Sequence, residues 1–196
     1  MTQTLVGVLG GSGLYEMEAL ADVSQMHMDT PFGPPSDVIV RGTVDGVGVA
    51  FLSRHGRGHR LLPSEVPYRA NIHALRQLGV RYVLSVSAVG SLREEIRPLD
   101  LVLPDQFIDL TRQRASTFFG QGAVAHVSMA QPVCSALSDV LARSIAAVDA
   151  SIAIHRAGTY VCIEGPQFSS MAESHWLRSM GADIVGMTNM PEAKLA

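Results

Sequence analysis

Five short segments of the sequence place hydroxyl groups, glycines and an Arg–His pair directly after apolar, strand-like runs. They are GGSG (10–13), SRHGRGH (53–59), SAVGS (87–91), EGPQFSS (164–170) and MTN (187–189). The side chains in them that suit an oxyanion are those of Ser12, Arg54, His55, Ser87 and Thr188. An arginine fork supplies charge and two aligned donors, while hydroxyls and the backbone N–H groups of glycine turns add directed donors without further charge. Together the segments predict a small site for inorganic phosphate.

Each segment alone also has a simpler interpretation. The glycines at 10, 11 and 13 are typical of an ordinary strand-to-helix turn, and a lone arginine is typical of a surface or an interface. The dinucleotide pattern GxGxxG would require glycine at position 16, where the chain has Glu16, and no GK[ST] P-loop occurs. A nicotinamide-dependent oxidoreductase is therefore disfavoured, and the combination of segments favours phosphate.

The elements that must position these segments alternate between strands and helices. The predicted strands are Leu5–Leu9, Val38–Arg41, Val47–Ser53, a buried run at 81–90, Leu101–Leu103, Phe107–Leu110, 159–166 and Ile184–Met187. The predicted helices cover 66–79, 132–148 and 170–180, and a hairpin turn is expected at Asp45-Gly46. This order predicts an α/β fold with a mixed, largely parallel sheet flanked by helices. In such sheets ligands bind at the carboxyl ends of the strands, where the five segments lie.

Length and composition limit the classes of function. The 196 residues, 47% hydrophobic and 17% charged, predict one globular domain spanning residues 1–196. A formal net charge of −3 without a Lys/Arg run is evidence against nucleic-acid binding. We expect no membrane segment, no signal peptide and a cytoplasmic location. Cys134 and Cys162 lack metal-site spacing and the seven histidines form no HExxH pair, so no metal is expected.

Eight segments in the same order resemble the trimeric purine nucleoside phosphorylases, and among them the S-methyl-5′-thioadenosine phosphorylase branch most closely. They are GVLGGSGL, DTPFGPPSD, LSRHGRGH, PSEVPYRANIHALRQLG, VGSLREEIRPLD, DQFIDLT, IEGPQFSSMAES and GADIVGMTNMPEA. The resemblance extends from about Leu5 to the last residue.

The resemblance implies phosphorolysis, in which inorganic phosphate attacks C1′ of a nucleoside and releases the purine. The transition state is expected to resemble an oxocarbenium ion, which the anionic phosphate below the sugar stabilises. Phosphate is then a co-substrate, no metal or organic cofactor is required, and the expected assembly is a homotrimer.

The resemblance also assigns roles to individual residues. It implies phosphate binding by Ser12, Arg54, His55, Ser87, Ala88 and Thr188, with Ala88 acting through its backbone N–H. It implies substrate binding by Phe168 on the purine, Ser169 near the base, Met187 against the ribose and His126 towards a neighbouring subunit's pocket.

Ser169 bears on the choice of base. Relatives that cleave inosine and guanosine carry a glutamate after the matching phenylalanine, whereas this chain has a serine, as in the methylthioadenosine branch. A short hydroxyl cannot supply the carboxylate acceptor for a 6-oxopurine. We therefore expect methylthioadenosine as substrate, with a purine nucleoside phosphorylase acting on inosine, guanosine or methylthioinosine as the alternative.

Two departures from the family pattern lie near the end of the chain. Asn189 replaces a small or hydroxyl residue, and the sequence ends in DIVGMTNMPEAKLA, where Asn189, Pro191 and Glu192 predict the start of a helix. In the family this helix continues, and a further strand, a purine-binding loop and C-terminal helices follow. We therefore expect a chain truncated at its C-terminus that lacks the family's last strand and helices. The purine-protonating acid would lie beyond residue 196, so no catalytic residue is assigned, and an inactive form that only binds phosphate or pentose phosphate is a further alternative.

Overall fold

A computed structural model of the chain describes residues 5–10 and 20–196. Over these residues the chain divides into two compact units. Unit 1 comprises the described residues up to Ala88 together with Gln113–Phe118 and Leu195–Ala196, and unit 2 comprises Val89–Arg112 and Phe119–Lys194. The predicted single domain over 1–196 stays a prediction.

Unit 1 is built on a five-stranded mixed sheet with the strand order β2-β3-β4-β1-β5. Strand β1 is parallel to both β4 and β5, whereas β2, β3 and β4 form an antiparallel series. The strands are β1 Leu5–Gly10, β2 Ala21–Met26, β3 Ile39–Val44, β4 Val47–Ser53 and β5 Val80–Val86, and helix α1 spans Tyr68–Gln77.

The β3–β4 hairpin turns at Asp45-Gly46, as predicted. Both residues have positive φ angles, 49° and 78°, which is the backbone conformation of a type I′ turn. The predicted strand Val38–Arg41 extends further, to Val44, and so meets β4 directly across the turn.

The core of unit 1 lies between this sheet and α1. Leu9 and Leu52 from adjacent parallel strands pack with Ala74 and Leu75 of the helix, all with almost no exposed surface. The helix ends before Gly79, whose φ of +87° suits glycine and stops the helical path as predicted.

Unit 2 contains two smaller sheets, ordered β6-β11-β10-β8 and β7-β9. Strand β10 is parallel to β8 and β11, and β6 is antiparallel to β11. The elements are β6 Gly90–Ser91, β7 Leu101–Val102, β8 Gln106–Asp109, α2 Ser135–Val148, β9 Ile154–His155, β10 Thr159–Cys162, α3 Met171–Ser179, β11 Ile184–Gly186 and α4 Asn189–Leu195.

The predicted capping box at the start of α3 is confirmed. Ser170 Oγ accepts the backbone N–H of Glu173 at 3.2 Å, and Glu173 Oε2 accepts the backbone N–H of Ser170 at 2.6 Å. These paired bonds fix where the loop 164–170 ends, and with it the place of Phe168 and Ser169.

Several details differ from the sequence prediction. The strand expected to be buried, β5, exposes Tyr82 and Val86 by almost half, because the face of the sheet that carries them is incompletely covered. Helix α2 begins at Ser135 rather than Pro132, and Ala142 is its only buried residue.

The fold is α/β as predicted, and its strands form three separate sheets. Strand β2 was not predicted, because its sequence ADVSQM lacks an apolar pattern and is mostly exposed.

The start of α4 is shifted by one residue from its expected position. Met190 has an extended backbone (φ −119°, ψ 131°), so the regular helical turn begins after it, at Pro191. The predicted cap, Asn189, is thus one position too early, and Met190 directly precedes the regular turn. Pro191 stands in the first turn as expected. No helix in the described part of the chain is long and apolar enough to cross a membrane.

Asp109 should link the stability of unit 2 to acid. Burial raises the pKa of Asp109, but hydrogen bonds from Lys194 and Thr111 lower it by a larger amount. The net pKa therefore lies below the usual 3.8. As the pH falls below about 4, the unfolded chain takes up the proton first, and the free energy of unfolding drops. Asp109→Asn should lower the urea midpoint at pH 7 and flatten its dependence on pH between 5 and 3. Exposed Glu94→Gln is the control, and an equally steep acid dependence in both variants would contradict the assignment.

Candidate functional site

Three parallel strands of unit 1, β1, β4 and β5, have their carboxyl ends side by side. Gly10 at the end of β1 is paired in register with Ser53 at the end of β4 and with Val86 at the end of β5. The segments that start at Arg54 and Ser87 therefore leave the sheet side by side, as the carboxyl-end rule predicts. Ser12, the third predicted phosphate ligand of this unit, lies outside the described residues.

Arg54 has no exposed surface and reaches across the ends of all three strands. Its backbone N–H donates to Gly10 O at 3.0 Å. Its Nη2 donates to Leu9 O at 3.1 Å and to Ser85 Oγ at 2.9 Å, and its Nη1 donates to Val86 O at 3.1 Å. The guanidinium thus contacts the residue directly before Ser87.

These three side-chain bonds hold the planar guanidinium in one orientation. Their acceptors are carbonyl and hydroxyl oxygens, which are neutral. A positive charge held in a buried position interacts strongly with an anion, because the local dielectric constant is far below that of water. Arg54 is therefore both a brace for the strand ends and a suitable centre for an anion site.

His55 is nearly buried and has a defined tautomer. Its Nδ1 lies 2.9 Å from Leu61 O, and since a carbonyl can only accept, Nδ1 carries the proton. The backbone N–H groups of Arg60 and Leu61 both donate to His55 O, at 3.0 and 3.1 Å. The loop therefore closes on His55 and directs Nε2 away from Leu61.

The remaining phosphate ligands predicted in unit 1, Ser87 and Ala88, follow β5 directly. Ser87 is half-buried and Ala88 is exposed. The structure thus brings Arg54, His55, Ser87 and Ala88 to one edge of one sheet. Their roles in binding stay predictions.

Thr188 of unit 2 follows β11 and is 6% exposed. Its Oγ1 is buried and has no hydrogen-bond partner among the described residues. A buried hydroxyl without a partner is costly and uncommon in native proteins, which makes Thr188 a candidate to bind a ligand. Met187, the predicted ribose contact, precedes it and is half-buried.

Sequence reasoning missed Tyr160, the residue that fixes the backbone of Thr188. The Tyr160 hydroxyl accepts the N–H of Thr188 at 3.3 Å, and burial raises the pKa of Tyr160 above its usual value. A Cβ added to Gly186 would lie 2.0 Å from that hydroxyl, so only glycine fits beside it. The signal was the glycine in IVGMT, but its reason depends on β10 pairing with β11, which the sequence does not display.

The predicted nucleoside contacts all lie in unit 2. Phe168 is 87% exposed in the loop before α3, and Ser169 Oγ lies 2.8 Å from Ser174 Oγ in that helix. His126 is exposed in an irregular segment between β8 and α2. The roles of Phe168, Ser169 and His126 stay predictions.

Residues 5–196 match the family model described as the phosphorylase superfamily. An S-methyl-5′-thioadenosine phosphorylase of Thermosynechococcus vestitus is 59% identical over 192 residues, which are 97% of this chain and 66% of the relative. One of Synechocystis sp. is 57% identical over 197 residues, covering all of this chain and 60% of the relative. The chain thus spans between three fifths and two thirds of the length of these curated relatives.

Solved structures agree with the curated relatives. A methylthioadenosine phosphorylase from an antarctic soil metagenomic library superposes with a TM-score of 0.95 at 62% identity, covering all of this chain and 69% of the other. The Schistosoma mansoni methylthioadenosine phosphorylase in complex with tubercidin gives 0.93 at 38% identity, covering 99% of this chain and 75% of the other. The two units therefore have the fold of purine nucleoside phosphorylase-like proteins.

Thr188→Val should separate ligand binding from stability. The change is nearly isosteric and removes a hydroxyl with no protein partner in the described structure, so the urea midpoint should stay the same or rise. If Thr188 donates to bound phosphate, the phosphate Kd should rise at least about tenfold, as for a hydrogen bond to a charged group. Isothermal titration with phosphate measures the second effect.

The matched control is Thr111→Val, which removes a hydroxyl that donates to Asp109 at 2.7 Å. That variant should lose stability and keep its phosphate affinity. A Thr188 variant that loses stability and binds phosphate unchanged would show that its hydroxyl serves the fold.

Proposed function

Since the chain belongs to the phosphorylase superfamily, we propose that it carries out the phosphorolysis of S-methyl-5′-thioadenosine to adenine and 5-methylthioribose 1-phosphate. The observation that carries the proposal is the buried Arg54 at the joined ends of three parallel strands, within a chain 57–59% identical to proteins of that name. The proposed setting is purine and methionine salvage.

In the proposed reaction an oxygen of hydrogen phosphate attacks C1′ as the bond from C1′ to N9 of adenine breaks. The ring carries positive charge in the transition state, and the phosphate below it stabilises that charge while it forms the new bond. The proton of hydrogen phosphate balances the one that adenine gains on leaving. No metal or organic cofactor takes part in this scheme.

The proposed phosphate ligands are those predicted from the resemblance, namely Ser12, Arg54, His55, Ser87, Ala88 and Thr188. Arg54 supplies the charge and holds the strand ends, so phosphate meets donors that are already oriented. Oriented donors need no reorganisation when the ligand binds, and this is a major source of electrostatic catalysis.

The proposed nucleoside contacts are Phe168, Ser169, Met187 and His126, with His126 reaching the site of a neighbouring subunit. A homotrimer is part of the proposal, as the family resemblance implies. The proposed location of the protein is the cytoplasm.

The experiment that tests this function measures adenine release from methylthioadenosine by the 196-residue chain, with and without phosphate. Adenosine and inosine serve as comparison substrates, and phosphorus NMR detects the pentose 1-phosphate. Phosphate-dependent release with stoichiometric sugar phosphate is the expected result. Equal release without phosphate would indicate hydrolysis, and phosphate binding without release would favour the binding-only alternative.

Base preference gives a separate prediction at Ser169. Ser169→Glu supplies a carboxylate acceptor, so the ratio of kcat/KM for inosine to that for methylthioadenosine should rise by about tenfold or more. Ser169→Ala is the matched control, because it also breaks the 2.8 Å contact with Ser174 without adding a carboxylate. An unchanged ratio in the glutamate variant would remove Ser169 from the discrimination of the base.

A further inference from the structure

The loop that follows β4 contains a second histidine that the proposed function does not use. The ring of His59 stacks on that of His55, with 4.3 Å between the ring centroids and 21° between the planes. His59 is exposed, whereas His55 is nearly buried, so the outer ring covers the inner one. The contact lies wholly within unit 1, at the carboxyl edge of its sheet.

The hydrogen bond from Nδ1 to Leu61 O fixes the tautomer of His55 but constrains the plane of its ring less tightly. The χ2 torsion of histidine is broad, so the ring can tilt while one nitrogen keeps its partner. A flat ring stacked nearly parallel on it removes that freedom. The direction of Nε2 therefore depends on His59 as well as on Leu61.

The backbone of the loop is specialised to make this stack. His59 has a φ of +54°, a left-handed conformation that is uncommon for residues other than glycine. Gly56 and Gly58 also have positive φ, and the N–H of His59 donates to Gly56 O at 3.0 Å. A Cβ on Gly56 would lie 2.8 Å from Arg60 Nε, so the loop is tightly folded there.

His59 has an uncommon backbone conformation, and its side chain touches His55, which is proposed to bind phosphate. Such a combination points to a role of His59 at the site. We propose that His59 is a positioning residue for phosphate binding, in which its stacked ring holds the His55 imidazole with Nε2 directed at a phosphate oxygen. This inference rests on the proposed function and adds to it a residue that acts through His55 and does not contact the ligand.

Two substitutions separate the ring from the backbone. His59→Asn removes the ring but retains a residue that tolerates the left-handed conformation. His59→Phe retains a flat ring able to stack and lacks the imidazole nitrogens. His27→Asn, at an exposed histidine outside the loop, is the control for loss of a histidine from unit 1.

The measurements are the phosphate Kd by titration, the KM values for phosphate and nucleoside, and the urea midpoint of each variant. The asparagine variant should bind phosphate about three- to tenfold more weakly, the range expected from losing one stacked ring pair. Its nucleoside KM and urea midpoint should stay close to those of the parent chain. The phenylalanine variant should keep most of the phosphate affinity.

A second readout needs no ligand or turnover. The Hε1 resonance of His55 in phosphate-free protein should shift when the stacked ring is removed in the asparagine variant, and much less in the phenylalanine variant. An unchanged His55 resonance in the asparagine variant would show that the rings do not stack in solution and would overturn the inference.

The outcomes distinguish this inference from the function on which it rests. A parent chain that neither binds phosphate nor depends on it for purine release would refute the proposed function and this inference with it. Phosphate binding by the parent chain with unchanged affinity in the asparagine variant would overturn the positioning role alone. Equal losses in both variants, with the urea midpoint of the phenylalanine variant unchanged, would also overturn it, because a stacked ring without imidazole nitrogens would then not keep the affinity.

Discussion

The guanidinium of Arg54 is the group on which the candidate site of unit 1 depends. It has no exposed surface, and its bonds to Leu9 O, Ser85 Oγ and Val86 O tie the end of β4 to those of β1 and β5. Backbone carbonyls at the carboxyl ends of strands need hydrogen-bond donors, and here one side chain supplies donors to two strands. The requirement for a stable sheet edge thus places a positive charge at the position where a ligand binds in α/β folds.

Because Arg54 supports the strand ends, substituting it is a poor test of the proposed phosphate binding. Truncation to alanine would remove the charge and leave buried carbonyls without donors, so a loss of phosphate binding could reflect a disturbed strand edge. Lysine keeps the charge but has a flexible stem and no planar fork, so it cannot make the same set of bonds. The hydroxyl of Thr188 has no protein partner in the described structure, so its removal is the cleaner test of the proposed phosphate binding.

Unit 2 uses a buried side chain in a comparable way. Tyr160 on β10 extends its hydroxyl to the end of the neighbouring β11 and accepts the N–H of Thr188. The cost is a fixed glycine at 186, since a Cβ there would lie 2.0 Å from the hydroxyl. In each unit a side chain from another parallel strand of the same sheet contacts the backbone beside a residue proposed to bind phosphate.

Local chemistry made several elements predictable from the sequence. The turn at Asp45-Gly46, the end of α1 at Gly79 and the capping box of Ser170 with Glu173 each follow from two or three neighbouring residues. The position of Arg54 and His55 followed from the end of an apolar strand.

Features that depend on distant pairing were not predictable. The exposure of β5 and of α2 reflects what packs against them, and the polar strand β2 forms only because β3 is beside it. The bonds of Arg54 to β1 and β5, and the contact of Tyr160 with Thr188, join residues that only the folded sheets bring together. Sequence patterns therefore identified the candidate binding residues but not the residues that orient them.

The central claim is that the strand-end cluster around Arg54 binds inorganic phosphate. Isothermal titration of the 196-residue chain with phosphate, with far-ultraviolet circular dichroism to verify the fold, tests it most directly. The account predicts saturable binding of one phosphate per chain, with competition by methylthioribose 1-phosphate. A folded chain that shows no saturable phosphate binding would contradict it.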